Sequence, residues 1–189
     1  MISKPEAASA LREIDLVHRR TTRGGAYAKA SPHLLIGGTV WAAGYGACAV
    51  LPPERWATIW IPLSLAGLVG SYAVAYTSHQ REPGNPAASA GSAARILWMM
   101  ATTMAFIIST FLLFQPTDPV TFLAFPALVM AFVYVLLGSV GLPRFRWLGA
   151  GMFAILIIGL ALQREAIALW VAAAGAGGLI LGGIWLRKA

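Results

Sequence analysis

Hydroxyl side chains are the main polar groups inside the apolar segments of this 189-residue chain. Thr102, Thr103 and Ser109 lie in the segment 96–114, which carries more serine and threonine hydroxyls than the other segments. Such groups could line a path for a small or neutral solute, but Ser and Thr can also hydrogen-bond the carbonyls of their own helix. The three residues are therefore candidates for a polar path, with bonding to their own helix as the alternative.

Histidine is the side chain here best suited to bind a metal or haem iron. His33 begins the first apolar segment, and His79 follows the second. No carboxylate or thiol stands at a ligand-like spacing from them, and the single cysteine, Cys48, excludes an intrachain disulfide. We predict that the protein holds no metal and no cofactor.

Patterns of catalytic residues are also missing from the sequence. The segments 70–72 and 138–141 do not form a nucleophile elbow, and no glycine-rich loop precedes a lysine that could bind phosphate. Ionisable residues are absent from the centres of the apolar segments, which disfavours proton-coupled transport. We predict that the protein is not an enzyme.

The elements that must position these residues are membrane helices. Hydrophobic residues make up 58% of the chain and charged residues 11%, a balance that excludes a disordered chain and an ordinary soluble globule. A helix of about 20 residues crosses a hydrocarbon core of about 30 Å, and the absence of alternation argues against barrel strands. The predicted spans are 34–51, 57–76, 96–114, 120–140, 145–162 and 167–186.

Short connections after the first, third and fifth spans require antiparallel neighbours. We therefore predict an all-α integral membrane bundle, 34–186, of six transmembrane helices arranged as three antiparallel hairpins, with a flexible cytoplasmic loop over 77–94. Pro62 and Pro126 fall early in the second and fourth spans and predict breaks in those helices.

Small residues recur every four positions on two faces, which lets helix backbones approach closely. The faces are Gly38, Ala42 and Gly46 in the first span and Ala174, Gly178 and Gly182 in the last. We expect most of this packing to be internal, with a homodimer as the alternative. Trp41, Trp60 and Trp170 lie away from span ends, where we expect contacts between helices.

Positive charge is distributed unevenly between the two sides of the predicted bundle. The formal net charge is +7, and every Lys and Arg except Arg55 and Arg164 falls on one side of the predicted spans. The positive-inside rule then predicts a multi-pass membrane protein with both termini in the cytoplasm. Because this placement accounts for the charge, we expect no nucleic-acid partner.

The first 33 residues form a basic cytoplasmic segment in this interpretation. Residues 5–20 fit a short amphipathic helix, with a partly ordered tail as the alternative. Residues 22–25 contain two glycines and predict the end of this helix, and Ser31 and Pro32 predict the start of the first span. Arg12, Arg19, Arg20 and Arg23 are candidate contacts for anionic lipid or for another membrane or cytoplasmic protein.

The segment ALREIDLVHRR (10–20), followed by LLIGGTVWAAG (34–44), resembles a group of small bacterial inner-membrane proteins of uncharacterised function. Those proteins join a short basic amphipathic helix to an apolar bundle, and some are encoded beside winged-helix regulators. The resemblance implies a location in the bacterial inner membrane. It implies no activity, and no functional residue is transferred from it.

These observations favour a non-enzymatic accessory, regulatory or membrane-sensing protein that acts through a partner. The alternative is a small transporter or channel for a neutral or small solute, based on the hydroxyls of the third span and the prolines of the second and fourth.

Overall fold

The prediction of an all-α protein is confirmed. The computed structural model describes the backbone of residues 4–81 and 86–188, is 92% helical, and contains no strand within that described part. Its helices are α1 (Lys4–Cys48), α2 (Trp56–Arg81), α3 (Pro86–Phe114), α4 (Pro119–Ser139), α5 (Pro143–Leu162), α6 (Ile167–Ala172) and α7 (Gly178–Arg187). A π-helical turn, Ala173–Gly177, joins α6 and α7 into one continuous rod, which we call the α6–α7 rod.

Proline begins several of these helices. Pro86, Pro119 and Pro143 are the first residues of α3, α4 and α5, a position where the missing N–H of proline costs no helical hydrogen bond. Asp118 caps α4, because its Oδ1 accepts a hydrogen bond from the backbone N–H of Val120 at 3.0 Å.

Several helices have the length and composition of membrane spans. In the described chain, four helical stretches are long and apolar enough to cross a bilayer: Pro53–Ser78, Pro119–Ser139, Pro143–Leu162 and Arg164–Arg187. A shorter apolar stretch covers Trp98–Phe114. These helices indicate a membrane protein.

The first helix differs from the prediction because it does not end at residues 22–25. α1 runs from Lys4 through Pro32 to Cys48 without interruption. Tyr27 is buried, and the fully buried Ser31 donates a hydrogen bond from its Oγ to the carbonyl of Gly183 at 2.7 Å. These contacts hold the turn before the predicted span against α7, and they outweigh the local tendency of glycine and proline to end a helix.

Helix also covers much of the segment predicted as a flexible loop over 77–94. α2 continues to Arg81, and α3 begins at Pro86, while residues 82–85 lie outside the described residues. Pro62 and Pro126 lie inside α2 and α4, which continue past both prolines. The predicted breaks in these two helices are therefore wrong, since a membrane helix tolerates the loss of one backbone hydrogen bond at proline when neighbouring groups compensate.

The α6–α7 rod lies at the centre of the packed helices and contacts α1, α4 and α5. α4 and α5 pack closely on each other, α2 packs mainly on α1, and α3 reaches the bundle mainly through α4. The contact between α3 and α4 is made by aromatic rings, among them Phe111 and Phe122, whose centroids are 4.9 Å apart.

The bundle has two ends that the side-chain contacts define. At the end that we call proximal, Tyr27 of α1, Arg144 of α5 and Trp185 of α7 meet. At the distal end, Asp118 before α4 meets Arg164 after α5, and the ring of Trp56 stacks on that of Phe122.

Glycines allow the helices to approach closely, and tryptophan rings fill the resulting space. Trp41 of α1 lies against Gly175 in the π-helical turn, and Trp60 of α2 lies against Gly44 of α1. Trp170 of α6 lies against Gly159 of α5. The expectation that these three tryptophans lie at contacts between helices is confirmed.

The two predicted faces of small residues differ in how far they pack inside the molecule. A Cβ at Gly38 would meet Ile180 of α7 at 2.7 Å, and one at Gly182 would meet Leu148 of α5 at 2.8 Å. Gly178 faces Met152 in the same way, whereas a Cβ at Gly46 would meet nothing within 4 Å. Internal packing therefore accounts for the face of the last span and, on the first span, for Gly38.

The continuity of α1 can be measured with a pair of spin labels at Glu13→Cys and Ala28→Cys, in a Cys48→Ala background. A helix rises about 1.5 Å per residue, so an unbroken α1 predicts a narrow distribution of distances between the two labels, centred at about 22 Å. Double electron–electron resonance in lipid nanodiscs provides the measurement. A broad distribution, or one centred well below that distance, would mean that the helix bends at Gly24 and Gly25.

Candidate functional site

The residues predicted to line a polar path lie on the most peripheral helix. Thr102 and Ser109 are exposed on α3, and Thr103 is half-buried. The hydroxyl of Thr103 donates to the carbonyl of Met99 at 2.8 Å, and that of Thr102 donates to the carbonyl of Trp98. The hydroxyls of Thr102 and Thr103 therefore bond carbonyls of their own helix, which is the alternative to a polar path that the sequence offered.

The predicted contact arginines belong to the part of α1 that extends beyond the bundle. Arg23 is exposed, while the side chains of Arg12, Arg19 and Arg20 lie outside the described residues. On the same extension Leu11, Ile14 and Val17 are 67%, 65% and 59% exposed. The extension therefore presents apolar side chains that no other described part of the chain covers.

The described residues contain no group of three His, Cys, Asp or Glu side chains that could hold a metal ion. His33 is half-buried on α1, and burial lowers its pKa. The side chain of His79 lies outside the described residues, so its predicted proximity to His33 remains a prediction.

An apolar groove of about 440 Å³ separates α1 from α2. It is lined by residues between 35 and 43 of α1 and between 63 and 70 of α2. Its hydroxyl group, Thr39 Oγ1, donates to the carbonyl of Leu35 at 2.9 Å. The lining of the groove is therefore almost entirely apolar, and its surface suits hydrocarbon.

The most polar contacts between helices occur at the proximal end, around Arg144. The backbone N–H of Arg144 belongs to the first turn of α5, where helix amides have no partner within the helix. It donates to the hydroxyl of Tyr27 at 3.2 Å, and the ring of Tyr27 packs on that of Phe145 with centroids 6.1 Å apart. This bond joins α1 to α5.

The guanidinium of Arg144 extends the same contact to α7. Its Nη1 donates to the carbonyl of Trp185 at 3.0 Å, and its Cζ lies 4.9 Å from the centre of the Trp185 ring and 5.6 Å from that of Tyr27. A cation is favourable beside aromatic rings and at the negative end of a helix dipole. We call Tyr27, Arg144 and Trp185 the arginine cluster, and it joins α1, α5 and α7.

Further cations lie at the proximal end of the bundle. Arg146 lies in the first turn of α5, and Arg187 and Lys188 follow Trp185 at the end of α7. All three are exposed, and none is paired with a carboxylate in the part of the chain that the structure describes. Sequence reasoning placed all three residues on the basic side of the predicted bundle, and the structure places them at the ends of α5 and α7 that meet in the arginine cluster.

At the distal end, an ion pair connects the two loops that flank α4 and α5. Nη2 of Arg164 donates to Oδ2 of Asp118 at 2.6 Å, and the hydroxyl of Thr121 donates to the same oxygen at 3.2 Å. The Arg164 guanidinium, together with the amide of Val120, holds the pKa of Asp118 below its ordinary value. Both side chains are accessible to solvent, so this pair orders the loops and is screened by salt.

Arg144→Gln tests the arginine cluster. The change removes the charged hydrogen bond to Trp185 and both ring contacts, so we expect the free energy of unfolding to fall by about 2 kcal/mol. Thermal unfolding in a neutral detergent provides the measurement. Arg146→Gln removes a cation from the same turn without losing a bond to another helix of the described chain, and it should leave the midpoint unchanged. Equal losses for the two variants would contradict the role of Arg144.

The distal ion pair predicts a dependence of stability on pH. Because folding lowers the pKa of Asp118 from its ordinary value of 3.8, its contribution is present above about pH 4 and is lost as the pH falls through the lower pKa of the folded state. Asp118→Asn retains an N-cap but removes the charge, so the variant should lose less stability than the wild type between pH 5 and pH 3. The unfolding midpoint measured across this range tests the difference, with Glu165→Gln as the control carboxylate at the same end. An identical loss in the wild type and in Asp118→Asn would contradict the prediction.

Compared with known proteins, the chain matches no family model, no curated protein and no solved structure. The resemblance of residues 10–44 to small inner-membrane proteins therefore stays a prediction, and the function rests on the residues and contacts described above.

Proposed function

We propose that this chain is a non-enzymatic accessory or regulatory protein of the bacterial inner membrane, and that it acts through a partner bound to the N-terminal extension of α1. The observation that carries the proposal is the continuity of α1. One helix of about 67 Å, at about 1.5 Å per residue, contains both the exposed extension and a buried part of the bundle.

The contacts of α1 support a mechanical connection between these two parts. Tyr27, Ser31 and Leu34 are buried where the helix enters the bundle, and Leu11, Ile14 and Val17 remain exposed beyond it. A partner that binds the exposed side chains can therefore shift a helix whose other end packs on the α6–α7 rod. Such coupling is what an accessory or sensing role requires, because the bundle and its partner must respond to each other.

In this proposal all six predicted spans cross the membrane. The first span, 34–51, lies largely within α1, and the third, 96–114, nearly coincides with the shorter apolar stretch of α3. The proximal end, where Arg146, Arg187 and Lys188 are exposed, then faces the cytoplasm, as the positive-inside rule expects. Both termini then lie in the cytoplasm, where the extension of α1 is accessible to a soluble partner or to the cytoplasmic part of a membrane protein.

Transport remains the alternative that the sequence raised, but no contact in the described chain favours it. The hydroxyls of Thr102 and Thr103 bond α3 itself, and α3 borders the bundle mainly through α4. A path through the protein would need these groups to face other polar atoms, and no such contact is present among the described residues.

Site-specific photo-crosslinking in the native host membrane tests the partner role. A photoreactive amino acid in place of Leu11, Ile14 or Val17 should give an adduct with one and the same protein, because the three positions lie close together on the extension. The same label in place of Val140, which is 87% exposed at the end of α4, is the control and should not give that adduct.

Two further variants separate the proposal from transport. Arg19→Glu combined with Arg20→Glu should abolish the adduct by reversing the charge of the contact surface, whereas Thr102→Ala, Thr103→Ala and Ser109→Ala together should leave it intact. Adducts that contain lipid alone at all three positions would mean that the extension lies on the membrane, and the partner role would be wrong.

A further inference from the structure

We infer that the partner of the α1 extension is itself a membrane protein, and that one of its transmembrane helices lies in the groove between α1 and α2 and continues along the extension into the cytoplasm. The inference rests on the proposed function, because it gives the form of the partner that binds the extension. The argument for it is a single surface of α1 that runs from the extension into the groove.

The exposed apolar side chains of the extension belong to one face of α1. Leu11, Ile14, Val17 and Thr21 follow one another by three or four positions, so they lie along one side of the helix, and all four are exposed. The hydroxyl of Thr21 donates to the carbonyl of Val17 at 3.0 Å, so its hydrogen bond is made within the helix. This face is therefore suited to an apolar contact.

The same face continues along α1 into the groove. From Leu11 to Ala43 its steps of three or four residues average close to the 3.6 residues of one helical turn, and no charged residue interrupts the series. Its further members are, in chain order, Gly25, Ala28, Pro32, Ile36, Thr39 and Ala43. The last three of these residues line the groove. The apolar face of the extension and the groove are therefore parts of one surface, about 48 Å long at about 1.5 Å per residue.

The groove has the shape and the side chains that suit another helix. A Cβ on Gly67 of α2 would lie 3.0 Å from the Cγ2 of Val40 of α1, so the two helices are in close contact at the floor of the groove. The lining residues that are exposed are all small: Thr39 and Ala43 on α1, and Ala66 on α2. Small residues let the backbone of a further helix come close, and close packing of this kind drives the association of helices in lipid.

A helix of another protein fits this surface better than an acyl chain or a second copy of this chain does. An acyl chain can fill the groove, but it does not cover Leu11 and Val17, which precede the predicted first span and lie outside the membrane in the proposed orientation. A second copy related by twofold symmetry presents the same surface, and two grooves that face each other leave the space between them unfilled. A single convex helix fills the groove and covers the extension continuously.

Photo-crosslinking at two depths of α1 tests the inference. A diazirine amino acid replaces either Val17 or Thr39 in the full-length protein in native host membranes, and mass spectrometry identifies the residues to which each label is joined. We expect both labels to react with the same protein, and the label at Thr39 to react within an apolar segment long enough to span the membrane. The two reacted residues of the partner should lie about 22 positions apart, because helices that lie side by side both rise by about 1.5 Å per residue.

A variant that fills the groove provides a second measurement. Ala66→Phe places a ring among the lining residues, so it should lower the yield of both adducts by a factor of roughly five or more. Ala101→Phe makes the same change at an exposed position of α3 and should leave both yields unchanged. Equal yields for the two variants would contradict the inference.

The outcomes separate this inference from the proposed function. If Val17 gives a protein adduct while Thr39 reacts with lipid alone or with a different protein, the partner binds only the extension, so the inference is wrong and the proposed function stands. An adduct of the Thr39 label with a second copy of this chain, or reacted residues whose spacing differs widely from 22 positions, would overturn the inference in the same way. Adducts of the Val17 label with lipid alone would contradict the proposed function itself.

Discussion

Close approach of helix backbones at glycine is the constraint on which this bundle depends. In a bilayer, apolar side chains gain little by leaving lipid for one another, so helices associate where their surfaces fit closely. Here tryptophan rings of α1, α2 and α6 occupy the space beside Gly175, Gly44 and Gly159. The glycines thus determine which helices are neighbours, and the large rings supply the dispersion contacts that hold them together.

The same constraint explains why α1 can connect the bundle to its surroundings. Gly38 and Gly183 let α1 lie close against α7, and Ser31 adds a hydrogen bond in the same contact. The arginine cluster then joins the entry of α1 to the first turn of α5 and the last turn of α7. A helix fixed in this way keeps its direction beyond the bundle. The proposed partner site therefore extends from the proximal end of the bundle.

Sequence patterns predicted the helices well because long apolar runs in lipid have few alternatives to helix. They also predicted that Trp41, Trp60 and Trp170 lie between helices, since tryptophan away from a span end has no headgroup to face. They failed at residues 22–25 and at Pro32, where local preference predicts an interruption but the burial of Tyr27 and Ser31 stabilises a continuous helix. The arginine cluster could not be predicted from the sequence for a related reason. Its members are far apart in the chain, and charge counting assigns them to a side without showing that α5 packs on α7.

The measurement that tests the account most directly is the unfolding free energy of Gly38→Leu compared with Gly46→Leu, by thermal or steric-trap unfolding in a bilayer mimic. Both glycines lie on α1, but a Cβ at Gly38 would meet Ile180, whereas one at Gly46 would meet nothing within 4 Å. We predict that Gly38→Leu destabilises the protein by about 1–3 kcal/mol and that Gly46→Leu leaves it unchanged. Equal stability of the two variants would contradict the central claim that α1 is held in the bundle by close packing against α7.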